Sequence, residues 1–275
     1  MTRRRSSRSN SSEAGAREGV ARRFRARVEY DGTDFAGFQV NPGKRTVQGI
    51  LEAALARLGD GEERRVDGAG RTDAGVHASG QVIAFTYAGR LPDADLGRAL
   101  EALLPPDVAV RDVRRVPDAF NPRYAARYRE YRYTVWNGPR SPLLERTALG
   151  VRDPLDTAAM ARAGSAFIGR HDFSTFGVAG RTSVRTVMAV RVRREGKLVT
   201  IDVRAHAFLR GMVRRMVAVL LEVGLGRMEE TAVRTALAGN GPALDGAAAP
   251  ARGLSLRRVA LGWRPGEPNG VHEQR

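Results

Sequence analysis

Hydrophobic and polar positions follow two periods along the chain: a period of two, typical of strands, and a period near 3.6, typical of helices. The segment FRARVEY, residues 24–30, alternates apolar with charged residues and predicts a strand. The segment TVQGILEAALARLG, residues 46–59, carries its apolar residues on one helical stripe. Thr46 is placed to cap this helix and Gly59 to end it. Order is therefore expected to begin near Arg23.

The rest of the N-terminal half completes the element order β-α-β-β-α-β. Its predicted elements are a short strand at RRVDG, a strand at QVIAFTY, a helix at ADLGRALEALL that ends at Pro105 and Pro106, and a strand at VAVRDVRRV. The glycine-rich stretch between the first two of these strands is predicted to be a loop.

The C-terminal half repeats that order with one additional helix. Its predicted elements are a strand at YREYRYTVWN, a helix at DTAAMARAGSAFIG with Asp156 as cap, a hairpin of RTVMAVRVRRE and KLVTIDVRAHAF across Glu195 and Gly196, helices at LRGMVRRMVAVLLEVG and EETAVRTALAG, and a strand at LSLRRVAL. Two successive split-βαβ units predict an α+β fold with abutting sheets and helices behind them. A cleft between the halves would be the natural site for a large ligand.

These patterns divide the chain into four segments. Residues 1–22 form a basic tail predicted to be disordered, because Arg, Ser and Gly offer little to bury. Residues 23–118 form the N-terminal α+β half and residues 119–263 the C-terminal α+β half. Residues 264–275 form a second tail that is expected to fray.

The net charge of the chain indicates what class of partner it binds. The 275 residues carry a formal net charge of +16, which favours a polyanionic partner, nucleic acid before an anionic membrane. Only Lys44 and Lys197 are lysines, so codon bias is a competing explanation for the arginine excess. Arginine also binds phosphate in a bidentate manner, and both explanations can hold.

The remaining composition excludes several classes of site. The chain has no cysteine, which excludes disulfides and thiolate nucleophiles. Its four histidines lack the spacing of metal ligands, so no metal site is expected. No apolar run is long enough to span a membrane and the N-terminus lacks a signal-peptide core, so a soluble, cytoplasmic protein is expected.

The segment DGAGRTDAGVHASGQV, residues 67–82, surrounds one acid, Asp73, and one imidazole, His77, with glycines. Glycines let a backbone bend and let a partner approach closely, so the loop is suited to present Asp73 as an acid or nucleophile. Arg71 is placed to keep Asp73 ionised through a charge-assisted hydrogen bond. The competing interpretation is an ordinary turn aspartate that bonds nearby amides, beside a buried histidine paired with backbone.

A second candidate is AARYREYRYTVWN, residues 125–137, where tyrosines interleave with arginines. Strand alternation places Tyr131 and Tyr133 on one face and Arg132 on the other. Aromatic rings stack on unstacked bases and arginines beside them hold phosphates. The competing interpretation is that these tyrosines pack in the core.

Two further arginine pairs stand near the C-terminal half of the predicted cleft. Arg210 and Arg214 are expected one turn apart on an otherwise apolar helix, where they line either the cleft or a solvated edge. Arg181 and Arg185 lie in a segment rich in Gly and Ser, FGVAGRTSVRTV, which is suited to a backbone contact or a flexible lid.

Together these segments resemble the TruA-type tRNA pseudouridine synthases. The matching stretches, in family order, are VEYDGTDFAGFQ, RTVQGILEAAL, GRTDAGVHASGQV, AARYREYRYTVWN, DFSTF, RTVMAVRV, AFLRGMVRRMVAVLLEVG and AAAPARGLSL. They run from about Arg23 to the last predicted strand, and GRTDAGVHA is highly specific to that family. One departure is Phe38, where many members carry tryptophan before the glutamine.

The resemblance implies an α+β pseudouridine synthase fold, in which two ferredoxin-like halves form a mixed, mainly antiparallel central sheet flanked by helices. It implies an isomerase that converts uridine to pseudouridine at nucleotides 38, 39 and 40 in the anticodon stem-loop of tRNA. It also implies a homodimer whose clefts bind tRNA across both subunits, with no cofactor and no metal.

The resemblance also assigns roles to four residues. Asp73 matches the catalytic aspartate and Arg71 the arginine that pairs with it. Tyr131 matches the tyrosine that lies against the target base, and Arg214 matches a cleft arginine. It assigns no role to Arg181, Arg185 or Arg210.

Two interpretations from other classes compete with an enzyme. Split-βαβ sheets bind RNA without catalysis in RNA-recognition modules, although the aromatic pattern of those modules is not found in this sequence. A ribosome-associated protein is supported by charge alone. Asp73 favours an enzyme, because a binding module needs no acid in such a loop and an acid repels phosphate.

Overall fold

The computed structural model describes residues 21–59, 61–62, 64–178, 182–238 and 248–262. The tail predicted at residues 1–22 lies outside this part of the chain apart from residues 21 and 22, and the tail predicted at 264–275 lies wholly outside it. Within the described residues, no helix is both long and apolar enough to cross a membrane.

The N-terminal half has the predicted order β-α-β-β-α-β. Its elements are β1 (Arg22–Tyr30), α1 (Val47–Leu58), β2 (Asp67–Gly68), β3 (His77–Tyr87), α2 (Asp93–Glu101) and β4 (Val108–Arg115). The Thr46 cap of α1 is confirmed, because its side-chain oxygen accepts a hydrogen bond from the Gly49 amide.

The C-terminal half contains all the predicted elements and three short ones that the sequence pattern did not indicate. Its elements are α3 (Pro122–Ala125), β5 (Ala126–Asn137), β6 (Leu149–Val151), α4 (Thr157–Ser165), β7 (Gly169–Asp172), β8 (Val184–Glu195), β9 (Leu198–Ala205), α5 (Met212–Gly224), α6 (Ala232–Leu237) and β10 (Leu254–Leu261). The unforeseen elements are α3, β6 and β7, which are too short to show a period. Asp156 caps α4 by accepting from two backbone amides, as predicted.

All ten strands belong to one sheet. Its main order is β4-β1-β3-β10-β5-β9-β8-β7, with β2 paired to β3 and β6 paired to β5. Only the pairs β3–β10 and β5–β6 are parallel among the described strands, so the sheet is mixed and mainly antiparallel. The last strand, β10, therefore lies between the two halves and joins them.

One hydrophobic core runs through both halves. It contains side chains from the central strands and from α1, α2, α4 and α5, which flank the sheet. Ala84, which alternates with the core residues Ile83 and Phe85 on β3, packs instead with Val116 and Phe120 in a smaller cluster. The strand that leaves the glycine-rich loop is thus buried on both faces, which gives the loop a rigid base.

Candidate active site

The glycine-rich loop connects β2 to β3 and packs against the loop that follows β1. The Phe38 amide donates to the Thr72 carbonyl oxygen at 3.1 Å and the Gly75 amide donates to the Phe35 carbonyl oxygen at 3.2 Å. Gly37 has a φ of +101°, and a Cβ there would lie 2.9 Å from the Thr72 oxygen. Glycine is required at this position both by the left-handed backbone and by the close approach.

Two side chains hold the start of the loop by its carbonyl groups. The fully buried Gln81 donates to the Gly70 carbonyl oxygen at 2.6 Å. The Arg129 guanidinium donates to the Ala69 carbonyl oxygen from Nη2 at 2.7 Å and from Nε at 3.2 Å. These contacts fix the backbone a few residues before the acid.

Asp73 is half-buried in this loop, and Arg71 is exposed. Within the described part of the chain, no ion pair or hydrogen bond joins the two side chains, and Asp73 pairs with no other side chain. The predicted Arg71–Asp73 ion pair is therefore not formed in this structure, because the Arg71 side chain lies in solvent, where water competes for the guanidinium. The turn interpretation is met only in part: the Asp73 backbone oxygen accepts from the Val76 amide at 3.2 Å.

Tyr131 lies beside this loop on β5, and the predicted alternation is confirmed: Tyr131 and Tyr133 are buried, whereas Arg132 forms a bidentate ion pair with Asp202. A Cβ at Gly70 would lie 3.9 Å from the Tyr131 hydroxyl. Burial raises the pKa of Tyr131 to about 12, with Arg129 lowering it and Asp73 raising it. Tyr131 is therefore a neutral hydroxyl at physiological pH, placed between a positive and a negative group.

Phe208 packs against Tyr131. Its ring meets the Tyr131 ring edge to face, with 5.2 Å between the centroids. Phe208 lies in the connection between β9 and α5, so the contact joins the middle of the sheet to the segment that leads into the arginine-bearing helix.

His77 is a structural residue, as one of its two interpretations predicted. Its Nδ1 accepts from the Gly32 amide at 3.0 Å, and its Nε2 lies 3.1 Å from the Arg252 carbonyl oxygen. The same Nδ1 lies 3.1 Å from a carboxylate oxygen of Asp31, so the ring is held both by the loop after β1 and by the segment before β10. His77 thereby ties the end of the Asp73 loop to the segment before β10.

Arg214 reaches the same segment from α5. Its Nε donates to the Ala249 carbonyl oxygen at 2.6 Å. Gly75 has a φ of +75° and lies close to Ala251. A Cβ at this glycine would be 3.2 Å from the Ala251 Cβ. Residues 248–253 thus connect Arg214 to the loop that carries Asp73.

Arg210 was predicted on the same helix as Arg214, and this prediction was wrong. The helix begins at Met212, and its N-cap, Gly211, has a left-handed φ of 74° that ends the preceding loop. Arg210 is exposed in that loop, and its carbonyl oxygen accepts from the Val178 amide.

The last arginine pair is described only in part, because Arg181 lies outside the described residues. The Arg185 guanidinium donates to the carbonyl oxygens of Thr182 and Val184, at 2.9 and 2.6 Å. Burial lowers the pKa of Arg185. Arg185 lies on β8, and the two uses predicted for this segment, a backbone contact and a flexible lid, stay predictions.

Three residues that bear on the site were not singled out by the sequence: Arg129, Gln81 and Phe208. Arg129 was visible only as one of several interleaved arginines, and no local pattern marks which of them turns toward a loop 60 residues away. Gln81 gave a weak signal as a polar side chain in an otherwise apolar strand segment.

The site can therefore present a carboxylate without an ion-pair partner in the described part of the chain, beside a neutral phenol and among arginines. The described residues contain no group of three or more acidic or histidine side chains that could hold a metal ion. This is an arrangement for proton transfer or nucleophilic attack next to a bound anion.

Comparison with known proteins gives a consistent result. The family described as tRNA pseudouridine synthase matches residues 26–125 and 163–260. A tRNA pseudouridine synthase A of Geobacter sulfurreducens is 43% identical over 236 residues, covering 84% of this chain and 96% of the relative. Another, of Brevibacillus brevis, is 42% identical over 242 residues, covering 86% of this chain and 99% of the relative.

Solved structures are more distant. A chain of a Cbf5–Nop10–Gar1 complex aligns over 72% of this chain and 54% of its own length, with 13% identity and a TM-score of 0.30, which is too low to add to the assignment. The sequence similarity decides the family, because it spans both halves and nearly the full length of the relatives. The chain belongs to the tRNA pseudouridine synthase family, the isomerases that convert uridine to pseudouridine in tRNA.

Proposed function

We propose that this protein forms pseudouridine at nucleotides 38, 39 and 40 of tRNA, in the anticodon stem-loop, and that Asp73 is its catalytic carboxylate. The observation that carries the proposal is the setting of Asp73: a half-buried acid, on a loop fixed by Gln81 and Arg129, with no ion-pair partner among the described residues. Most acids among the described residues form an ion pair with an arginine, as Asp202 does with Arg132, and Asp73 is in the minority that do not.

The reaction suits a single carboxylate. The N1–C1′ bond of uridine breaks, the uracil turns, a C5–C1′ bond forms, and the hydrogen lost from C5 is balanced by one gained at N1. Attack by the carboxylate on the substrate and removal of a ribose proton by it are the two routes open to Asp73. Both routes need an ionised carboxylate near C1′, C2′ or C6, and a pocket that retains the free base.

The other residues have complementary roles in this proposal. Tyr131 lies against the target base and donates its hydroxyl hydrogen, because it stays protonated at neutral pH. Arg71, which is exposed beside Asp73, contacts the RNA backbone. Arg214 binds from the helix side of the cleft. A target uridine must leave its stack to reach Asp73, and an aromatic and arginine clamp holds it in that state.

The experiment is pseudouridine mapping of unmodified tRNA transcripts after incubation with the purified protein. We expect modification at uridines 38, 39 and 40, and none in matched transcripts that carry cytidine at those positions. Modification confined to another part of the tRNA would contradict the proposed site.

We also propose that the protein acts as a homodimer in the cytoplasm, with the two halves, residues 23–118 and 119–263, contributing to one cleft. The family resemblance supports the dimer and the tRNA substrate supports the compartment. Sedimentation equilibrium tests the dimer, and a monomer at the concentrations used for activity assays would contradict it.

A further inference from the structure

Arg129 is bound to three segments that border the site and to no carboxylate. Its Nη1 donates to the His206 carbonyl oxygen at 2.7 Å, and its Nη2 donates to the Arg123 carbonyl oxygen at 2.8 Å. Together with Ala69, these acceptors lie in the Asp73 loop, in the β9–α5 connection and in α3. A guanidinium can hold three such acceptors at once because its donors diverge in a rigid plane.

The charge of Arg129 is not neutralised by these contacts. All three acceptors are backbone carbonyls, and no ion pair to Arg129 occurs in the part of the chain that the structure describes. Burial lowers the pKa of Arg129, with Tyr131 raising it and Arg123 lowering it. A half-buried cation without an acid of its own acts on whatever negative charge lies nearby.

Gly70 marks where Arg129 and Tyr131 meet the start of the Asp73 loop. The Gly70 backbone lies against both the Tyr131 hydroxyl and the Arg129 Nε, since a Cβ there would be 3.9 and 4.0 Å away. Arg129, Tyr131 and the start of the Asp73 loop are therefore one packed unit.

We propose that Arg129 is a positioning residue of this reaction: by binding the carbonyl groups of Ala69, His206 and Arg123 at once, it fixes the Asp73 loop against the β9–α5 connection and α3. This inference rests on the proposed catalytic role of Asp73.

The test compares Arg129→Gln, Arg129→Lys and the control Arg127→Gln, an exposed arginine on the same strand. kcat and KM for tRNA are measured for each. In Arg129→Gln we expect kcat to fall by about 100-fold, the loss typical of a misplaced catalytic group, with KM changed by less than about threefold.

Arg129→Lys keeps the charge and removes the planar set of donors. A single ammonium cannot reproduce three diverging bonds, so kcat falls by about 10-fold, less than in Arg129→Gln, with KM again changed by less than about threefold. If Arg129→Gln does not fold, the Lys variant alone decides: a reduced kcat at unchanged KM supports the proposal, and a wild-type kcat contradicts it.

Three results would overturn the inference. Wild-type kcat in either Arg129 variant would show that the loop does not need this contact. A change in KM alone would make Arg129 an RNA-binding residue. Equal losses of kcat in the two variants would reduce it to a structural role. Activity in Asp73→Asn would instead refute the proposed function, whatever the Arg129 variants do.

Discussion

The position of Asp73 is set by side chains that bind the backbone carbonyl groups just before it, and among the described residues no arginine pairs with it. Most acids in the described residues pair with arginines, as Asp202 does with Arg132. The loop around Asp73 is held instead by Gln81 and Arg129, which bind Gly70 and Ala69. The acid is thereby fixed in place and left free to meet a substrate, which a paired carboxylate is not.

Tyr131 gives the second test at the residue scale. We expect Tyr131→Phe to keep the fold and lower kcat, because the ring stays between Phe208 and the loop but the hydroxyl is lost. Tyr131→Ala should be worse, because base stacking contributes about 1–3 kcal/mol. The rate constant of pseudouridine formation under single-turnover conditions is measured for both Tyr131 variants. Tyr128→Phe is the control on the same strand. Wild-type turnover in Tyr131→Ala would return Tyr131 to a packing role.

At the scale of elements, local sequence patterns predicted the long strands, the long helices and the helix caps. Alternation and helical stripes placed the long strands and helices, and the side-chain caps at Thr46 and Asp156 form as expected. The start of α5 was missed because Gly211 takes a left-handed φ that an apolar stripe cannot reveal. Short elements such as β6 and β7 form by pairing with the neighbouring strands β5 and β8 and are too short to show a period of their own.

Helix α1 offers a stability test at this scale. Its first amides are all satisfied: Val47 and Gln48 donate to the carbonyl groups of Gly37 and Phe38, and Gly49 donates to the Thr46 hydroxyl. We expect Thr46→Ala to lower the free energy of unfolding by about 1 kcal/mol, and Thr46→Ser to lower it less. Urea unfolding measures the difference. Equal stability of the two variants would mean that the cap contributes nothing.

At the scale of the whole molecule, the site depends on long-range pairing. The C-terminal strand β10 inserts between β3 and β5, which brings residues 248–253 against the Asp73 loop and places Arg214 behind them. The sequence predicted the strands but not this order, because pairing partners are set by packing across the chain and not by local pattern. The loop and strand patterns singled out Asp73 and Tyr131, the family resemblance implied their roles, and the structure brings the Tyr131 hydroxyl close to Gly70 in the Asp73 loop. The role of Arg129 needed the structure.

The charge of the whole chain leads to a binding prediction. The chain carries a net charge of +16, so we expect its affinity for tRNA to fall steeply with salt concentration. Each phosphate contact releases counterions and contributes about 0.7–0.9 to the slope of log K against log salt. Fluorescence titration over a range of salt concentrations measures this slope. Arg71→Gln should reduce it by about one contact, and Arg98→Gln, which removes an exposed arginine paired with Asp95, should reduce it less. An affinity independent of salt would contradict a basic binding surface.

The most direct measurement is pseudouridine formation by purified Asp73→Asn, beside the control Asp118→Asn, which removes an exposed acid outside the site. Asparagine keeps the size and the backbone bonds of Asp73 and removes only its charge. We expect Asp73→Asn to fold, to bind tRNA at least as tightly as the wild type because a negative charge facing RNA is gone, and to form no pseudouridine, while Asp118→Asn keeps full activity. Substantial pseudouridine formation by Asp73→Asn, free of wild-type protein, would contradict the catalytic role of this residue.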